Sequence, residues 1–332
     1  MRQLPLTAVS LPEELSEQRW VAPLQQEELG LGASPQRIDR SWGRSSYSAW
    51  IAAPLDPARL DQGRDRDPHG EEASAQDDAS DATLWPEQGP LAAFPRGAAA
   101  GDCLHRILEQ IPFQASDQDQ DQDQDLAAAV VASELRRAGL EATWTTAVLD
   151  GVDLVLNTPL GGALGSLAFG DLTPERRLHE LSFDLPVEHV RTEDLLRAFE
   201  GNPDARFGAD YRTLLSELSI NSRGVLTGSI DLVFSDHHDP QLARWWVADW
   251  KSNWLGERGA DGVGDLCGPR HYDEGAMQEQ MLHHHYPLQA HLYLVALHRH
   301  LRWRLPRYRP ERHLGGYVYV FLRGMPGKSA DD

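Results

Sequence analysis

The stretch that decides the fold, residues 228–256, reads GSIDLVFSDHHDPQLARWWVADWKSNWLG. Two short apolar runs within it, IDLVF and WWVADWK, have the β-branched and aromatic composition that predicts neighbouring strands. Each run nevertheless carries charge, Asp231 in the first and both Asp249 and Lys251 in the second. Because an unpaired buried charge is costly, each of these side chains needs a partner, and a metal ion is one such partner.

Asp249 and Lys251 are predicted to project together, because residues two apart on a strand share one face of the sheet. If the IDLVF strand pairs beside this one, Asp231 lies near the same point. Two acids and a lysine at one sheet edge suit metal-assisted phosphodiester hydrolysis. The carboxylates bind Mg²⁺, which polarises the phosphoryl group and activates water, while the lysine stabilises the developing negative charge. The D-x-K triplet alone favours a structural Asp–Lys pair, since such triplets arise often by chance.

Further motifs change that balance. The segments IDLV, VADWKSN, YPLQAHLYLVALHRHL and GGYVYVFLRG, in this order, resemble the C-terminal nuclease domain of the RecB family (exodeoxyribonuclease V β subunits) of the PD-(D/E)xK superfamily. Upstream, FPRGAAAGDCLHRILEQIPF resembles the family's helix with a metal-binding histidine, SYSAW its initial segment and ELSFDLP its first core strand. The resemblance spans about residues 41–325, apart from acidic insertions.

The resemblance implies a set of site residues. The implied metal ligands are His105, Asp231, Asp249 and the backbone carbonyl of Trp250. Lys251 matches the catalytic lysine, and Glu180 matches the acidic residue on the preceding strand. Gln289 and Tyr293 match a Q-x-x-x-Y element, whose i and i+4 positions share one helix face and would touch DNA or the site.

Several of these residues also have a structural interpretation. A single histidine beside an apolar helix stripe, such as His105, is usually structural. Glu180 is also typical of a surface acid at a strand edge, and Gln289 and Tyr293 of ordinary packing and capping. The neighbouring run His283–His285 lacks metal-ligand spacing, because adjacent helical residues point in different directions, and is interpreted as solvated or facing phosphate.

The implied function is a Mg²⁺-dependent DNA nuclease of exodeoxyribonuclease type, with Mn²⁺ as a possible substitute. The resemblance also implies a role in double-strand-break repair and recombination, beside RecC-like and RecD-like subunits or a helicase polypeptide. The segment GMPGKS has Leu322 where the first glycine of a phosphate-binding loop belongs, so no helicase motor is expected here. The alternative is a non-catalytic DNA-end-binding or scaffold module of a repair complex.

Composition bounds the class of protein. Of the 332 residues, 41% are hydrophobic and 25% charged, which is ordinary for a soluble globular protein. The sequence shows neither a membrane span nor the apolar region of a signal peptide. Two cysteines are too few for a disulfide framework or a four-thiolate cluster. A cytoplasmic location with no membrane partner is predicted.

The charge is distributed unevenly. The formal net charge of −20 argues against a nucleic-acid partner at first sight, because phosphate binding requires Lys and Arg. Much of it lies in residues 54–90, with ten acidic and three basic side chains, and in the DQDQDQDQD tract. In contrast, residues 298–313 contain six arginines against one glutamate. The folded part is therefore expected to present a basic face, and the acidic insertions are candidates for an autoinhibitory DNA mimic.

The order of predicted elements indicates an α/β fold, namely a restriction-endonuclease-like core with a mixed central sheet flanked by helices. Four regions are predicted along the chain: a lead-in segment (1–53), an acidic disordered linker (54–92), a RecB-like nuclease domain (93–327) and a tail (328–332). A disordered Asp-Gln insertion is predicted within the nuclease domain, at residues 115–126.

Overall fold

The computed structural model describes residues 42–52, 88–114, 120–200, 208–257 and 267–327. In chain order these residues form β1 (Gly43–Ser45), α1 (Tyr47–Ile51), α2 (Ala98–Gln110), α3 (Gln120–Ala138), α4 (Thr145–Asn157), β2 (Arg177–Arg191), α5 (Thr192–Glu200), α6 (Gly208–Glu217), β3 (Asn221–Ser235), β4 (Trp245–Lys251), α7 (Glu274–His283), α8 (Tyr286–Arg304), α9 (Pro310–His313) and β5 (Leu314–Phe321).

A single mixed sheet is built around the long strand β3. β2 pairs antiparallel along one edge of β3. The other edge is shared by β1, parallel to the first part of β3, and by β4, antiparallel to its last part. β5 then pairs parallel to β4. The close approach of β1 to β3 requires glycine at position 224, because an added Cβ would lie 2.1 Å from the carbonyl oxygen of Gly43.

Helices cover both faces of this sheet, and the alternation of β4 shows how. Trp246, Ala248 and Trp250 join the core formed with α2, α3 and α4. Val247 belongs to a second core, which contains residues of α1, α5, α6 and α8. Asp249 and Lys251 share the parity of Val247 and therefore face the α8 side. The predicted α/β fold with a mixed sheet flanked by helices is confirmed.

Helix α8 begins after a sharp change of backbone direction. His285 precedes it with a φ of 55°, in the left-handed region. Pro287 occupies the first turn, where its missing N–H costs no helical hydrogen bond. This start places the first half of α8, with Gln289 and Tyr293, against the end of β4.

Three predicted boundaries differ from the structure. Leu91 and Ala92 are buried, so the packed region begins before residue 93. Residues 42–52 form β1 and α1 and contribute buried Tyr47, Trp50 and Ile51 to a core, so they belong with the packed region rather than with a lead-in segment. Helix α3 already includes residues 120–126, which were predicted to be a disordered part of the Asp-Gln insertion.

The helical start of α3 has a simple physical reason. Extending an existing helix costs less than nucleating a new one, and acidic side chains are favourable near a helix N-terminus. The remaining predictions about residues 1–41, 53–87, 115–119 and 328–332 concern parts of the chain that lie outside the described residues. Among the helices that are described, none is long and apolar enough to cross a bilayer.

Candidate functional site

Asp249 and Lys251 form a buried ion pair at the end of β4. Lys251 Nζ lies 2.6 Å from Asp249 Oδ2, and both side chains are less than a tenth exposed. Both belong to the segment of β4 that pairs with β5, where Asp249 is opposite Tyr319 and Lys251 opposite Phe321. The predicted projection of the two side chains to one face is confirmed by this contact.

Lys251 is enclosed by oxygen and aromatic groups on the α8 side. Its ammonium donates to Gln289 Oε1 at 3.0 Å and lies 3.9 Å from the centre of the Tyr286 ring. The ring of Tyr319 is 5.2 Å away and stacks on Tyr286. A lysine charge held over aromatic faces in a buried site is stabilised by the negative ring faces. The position of the charge is therefore fixed by three elements, β4, β5 and α8.

The orientation of the Gln289 amide is fixed from both ends. Tyr319 Oη donates to Gln289 Oε1 at 3.0 Å, and Gln289 Nε2 donates to Tyr293 Oη at 3.1 Å. Tyr319 Oη also lies 2.8 Å from the backbone carbonyl of Tyr286. Because the ammonium of Lys251 can only donate, the amide oxygen must face it, and Tyr319 Oη meets the same oxygen. The Q-x-x-x-Y pair thus lies within the site, behind the lysine.

Asp231 lies at the same end of the sheet, on β3. Its Oδ2 accepts the backbone N–H of Trp250 at 2.8 Å and lies 3.5 Å from His105 Nδ1, on α2. The register of β3 with β4, Leu232 opposite Ala248, continues towards Asp231 and Asp249. β3 and β4 therefore pair as the sequence predicts, and the histidine of α2 lies close to the carboxylate of Asp231.

The protonation states of these groups depend on one another. Burial alone would lower the pKa of His105, but the Asp231 carboxylate outweighs burial and raises it to about 9. Burial likewise opposes ionisation of Asp231, but His105 and the Trp250 N–H hold its pKa below the usual range. Burial raises the pKa of Asp249 to about 7, although Lys251 opposes the rise. Near neutral pH, His105 is charged and Asp249 is partly protonated.

Glu180 lies beside Asp231 across the β2–β3 pair. His179 pairs with Leu232 and Leu181 with Ile230, which leaves Glu180 opposite Asp231. Its backbone has a φ of 50°, unusual for a side chain with a Cβ. Burial and nearby carboxylates raise its pKa, although Ser229 donates a 2.8 Å hydrogen bond to its carboxylate. Glu180 is thus the outermost acid of the group.

The donor set has the chemical types that a divalent cation requires. Carboxylate oxygens suit Mg²⁺ or Mn²⁺. The imidazole of His105 is a ligand type that transition metals prefer, and it would have to lose its proton to bind a metal. Asp249 Oδ2 is buried and accepts no hydrogen bond from the described residues, and its charge is met mainly by the ion pair with Lys251. Within the described ranges, no three His, Cys, Asp or Glu side chains converge as a finished ligand cluster. The residues fit a cation in type and proximity, with Asp231 and Asp249 each turned towards a cation of the protein.

Several residues of the site were not singled out from the sequence. Tyr286 and Tyr319 enclose Lys251, and Tyr286 Oη also donates to Asn253 Oδ1 at 3.2 Å. The sequence GGYVYV gives no sign of which helix Tyr319 meets. His284 is buried and stacks on Tyr286, which corrects its interpretation as solvated or facing phosphate.

Arg323 is a second feature that the sequence did not reveal. Its guanidinium is buried and donates to the carbonyl oxygens of Ser252, Leu91, Phe94 and Pro95 at 2.7–3.2 Å. It ties the chain after Lys251 to the segment that precedes α2. It therefore holds the two parts of the chain that carry the lysine and the histidine.

Comparisons with known proteins give one consistent result. The chain is 34% identical over 319 residues to the RecBCD enzyme subunit RecB of Mycobacterium tuberculosis, covering 88% of this chain and 26% of that protein. It is 33% identical to the same subunit of Mycolicibacterium smegmatis, covering 87% and 26%, and 33% identical to that of Escherichia coli, covering 73% and 18%. No protein-family model matches the chain.

The chain thus spans about a quarter or less of the length of these relatives. The matched part includes most of this chain in each comparison, and a partial-length match fits the nuclease-domain assignment. The chain is a RecB-type region.

Proposed function

We propose that this chain is a divalent-metal-dependent deoxyribonuclease that hydrolyses phosphodiester bonds, of the exodeoxyribonuclease type. The observation that carries the proposal is the buried Asp249–Lys251 ion pair, placed beside Asp231 where β3 and β4 meet. A structural ion pair has no need of a second carboxylate at the same point. Burying two acids and a lysine together is electrostatically unfavourable for folding. Such groups of side chains with shifted pKa values are typical of active sites, including those for phosphoryl transfer.

Each residue has a role that its position supports. Asp231, Asp249, His105 and the carbonyl of Trp250 would hold Mg²⁺ or Mn²⁺. When bound, the cation polarises the phosphoryl group and lowers the pKa of a water molecule. Lys251 presents a positive charge to the oxygens that become more negative as water adds to phosphorus and the ester bond breaks. Gln289, held by Tyr293 and Tyr319, positions that ammonium.

Glu180 supplies a further acid at the outer edge of the site. It lies opposite Asp231 and has a raised pKa, so it accepts a proton more readily than an ordinary glutamate. That property suits a group that accepts a proton from water or receives one from the site. Gln289 and Tyr293 are buried, so their contribution to DNA binding is made through Lys251 and the site.

The direct test is digestion of DNA by the purified chain. Linear single-stranded and duplex DNA should be degraded with Mg²⁺ or Mn²⁺ and without ATP, and EDTA should stop the reaction. Asp231→Asn, prepared in parallel, excludes a contaminating nuclease, and Asp239→Asn, an exposed acid of the β3–β4 loop, serves as the matched control. Cleavage that persists in EDTA, or a fully active Asp231→Asn protein, would contradict the proposal.

The second candidate function is a non-catalytic DNA-end-binding or scaffold module. It is favoured by one observation: Asp249 is already paired with Lys251, as in a purely structural ion pair. The digestion assay separates the two functions, because a scaffold module binds DNA without consuming it. The nuclease is the better-supported function, because a structural Asp249–Lys251 pair does not require Asp231 or His105, whose Nδ1 lies 3.5 Å from Asp231 Oδ2.

The relatives also suggest a cellular setting. They carry the name of RecB subunits of the RecBCD enzyme. We propose that this chain works with RecC-like and RecD-like subunits, or with a helicase polypeptide, in double-strand-break repair and recombination in the cytoplasm. Copurification of the chain with such subunits from cells that express them together tests this setting.

A further inference from the structure

An arginine-rich surface lies at the far end of α8, remote from Lys251. We define the arginine patch as the exposed residues Arg299, Arg302, Arg304, Arg307, Arg309 and Arg312 together with Trp303. Trp303 is 78% exposed, more than any other large hydrophobic side chain that the structure describes. The guanidinium of Arg304 lies 5.1 Å from the centre of its ring.

The patch is unusual in its charge balance. The segment from residue 298 to residue 313 holds six arginines and a single acid, Glu311, in a chain whose formal net charge is −20. Some exposed arginines elsewhere, such as Arg44 and Arg197, have a carboxylate partner. No ion pair to any of the six patch arginines is found within the described part of the chain. Their charges are therefore available to an external anion.

The patch rests on a firm base. Beyond α8 the chain turns back, and Tyr308 Oη lies 3.0 Å from His298 Nδ1. The ring of Tyr308 packs against the rings of His298 and His313, at 5.4 and 5.7 Å. His313 is buried, and its Nδ1 lies 3.0 Å from both the backbone nitrogen and the carbonyl oxygen of Arg309. These contacts fix the loop that carries Arg307 and Arg309 beside the last turn of α8.

We infer that the arginine patch is a second binding surface for single-stranded DNA, with arginines on the phosphates and an unpaired base stacked on Trp303. The inference rests on the proposed function for the choice of DNA as the polyanion. Charge complementarity explains the unpaired arginines, and an exposed tryptophan flanked by guanidinium groups is a platform on which a base stacks. Duplex DNA offers phosphates but no free base face, so the exposed ring favours the single strand.

The distance between the arginine patch and the Lys251 site sets the length of DNA that can contact both. Gln289 and Trp303 are fourteen residues apart on α8, which corresponds to roughly 21 Å along the helix axis. At the rise of about 3.4 Å per nucleotide of a DNA strand, this is about six nucleotides. A strand that is cut near Lys251 therefore reaches the arginine patch only if it extends about six nucleotides beyond the scissile bond.

The test measures binding in EDTA, where cleavage does not occur. A labelled oligonucleotide of about sixteen nucleotides, the upper range of a single-strand site, is titrated with the full chain at several salt concentrations. The triple variant Arg302→Ala, Arg304→Ala and Arg309→Ala should bind about tenfold or more weakly. Its slope of log affinity against log salt should be shallower by about two, close to the value for three lost phosphate contacts on a single strand.

A matched triple variant controls for the change in net charge. Arg136→Ala, Arg137→Ala and Arg197→Ala removes three exposed arginines on α3 and α5 and should leave both affinity and salt slope close to those of the parental chain. All six substitutions are at exposed positions, so thermal unfolding should be unchanged in both proteins. If the patch variant and the control variant bind equally well, the arginine patch does not bind DNA and the inference is overturned.

Trp303→Ala tests the stacking component separately. It should weaken single-strand binding about fivefold or more with the salt slope retained, whereas Trp303→Phe should recover part of the loss. Binding to duplex DNA of the same length should change little. An unchanged single-strand affinity for Trp303→Ala, or an equal loss on duplex DNA, would overturn the role assigned to the unpaired base.

Substrate length separates this inference from the proposed function. The patch variant should lower kcat/KM on the sixteen-nucleotide substrate but not on one of about four nucleotides, which is too short to span both sites. Absence of cleavage by the parental chain, with the binding difference intact, would contradict the nuclease and leave the DNA-binding surface standing. Intact cleavage with no binding difference would contradict the patch alone.

Discussion

The two ends of helix α8 hold charge in opposite ways. At its start, Gln289 is 3% exposed and accepts a hydrogen bond from the ammonium of Lys251, which is itself paired with Asp249. At its end, Arg302 and Arg304 are exposed and have no acidic partner among the described residues. One helix therefore connects a group of buried, mutually paired charges to a group of exposed arginines without acidic partners among the described residues.

The two ends of α8 are therefore expected to respond differently to substitution and to salt. Inside the protein, charges interact strongly, so removing one group changes the pKa values and positions of the others. At the surface, water and salt screen each charge, so the arginines act almost independently. Substitutions near Lys251 are therefore expected to be non-additive and insensitive to salt, and substitutions in the arginine patch to be additive and strongly salt-dependent.

Tyr319→Phe should lower kcat, and this is the larger of two expected effects at the buried end of α8. It removes the hydroxyl that donates to Gln289 Oε1 and reaches the Tyr286 carbonyl. Loss of one such buried hydrogen bond corresponds to about a tenfold fall in kcat, because Lys251 loses its fixed position. KM and metal affinity, measured by steady-state kinetics and calorimetry, should stay unchanged.

Tyr308→Phe is the matched control for that substitution, since its hydroxyl contacts His298 beside the arginine patch. It should leave kcat unaltered. A Tyr319→Phe protein with parental kcat, or one that loses metal affinity instead, would show that the tyrosine does not position Lys251. An equal fall in both variants would indicate a general loss of stability.

The pH dependence of the free energy of unfolding should also differ between the two ends of α8, as a smaller effect than the change in kcat. In the metal-free chain the folded pKa of Asp249 is about 7, above the value of 3.8 for an ordinary aspartate. Its stabilising contribution is therefore present below about pH 4 and is lost as the pH rises through 7. Asp249→Asn, which resembles the protonated acid, should remove this loss, so its stability relative to the parental chain should increase between pH 4 and 7.

Denaturant unfolding in EDTA at several pH values measures this change. The Arg302, Arg304 and Arg309 triple variant should follow the parental curve over the same range, because arginine does not titrate there. A parental curve that runs parallel to that of Asp249→Asn from pH 4 to 7 would mean that Asp249 has an ordinary pKa. The buried end of α8 would then be less strongly coupled than its geometry indicates.

The sequence was informative where local patterns determine structure. The IDLVF and WWVADWK runs predicted β3 and β4, and the period of two predicted that Asp249 and Lys251 share a face. The apolar stripe of GDCLHRILEQI predicted α2 and so the region of His105. These features depend on residues close together in the chain, which is why a single sequence reveals them.

Long-range packing was not available from the same patterns. Tyr319 meets Gln289 only because β5 pairs parallel to β4, across a connection that contains α7, α8 and α9. Strand β2 continues through Pro186. Proline is tolerated there because β2 pairs only with β3 among the described strands and leaves its other edge unpaired. Such outcomes depend on which elements become neighbours.

The most direct test of the central claim compares Asp249→Asn with Lys251→Ala for Mg²⁺ binding and DNA cleavage. Asp249→Asn is expected to lose both, because a ligand is removed. Lys251→Ala should bind the cation at least as well while cleaving about a hundred- to a thousandfold more slowly, because lysine acts only on the developing charge. A folded Asp249→Asn protein that binds Mg²⁺ and digests DNA at the parental rate would contradict the account and make the buried ion pair structural.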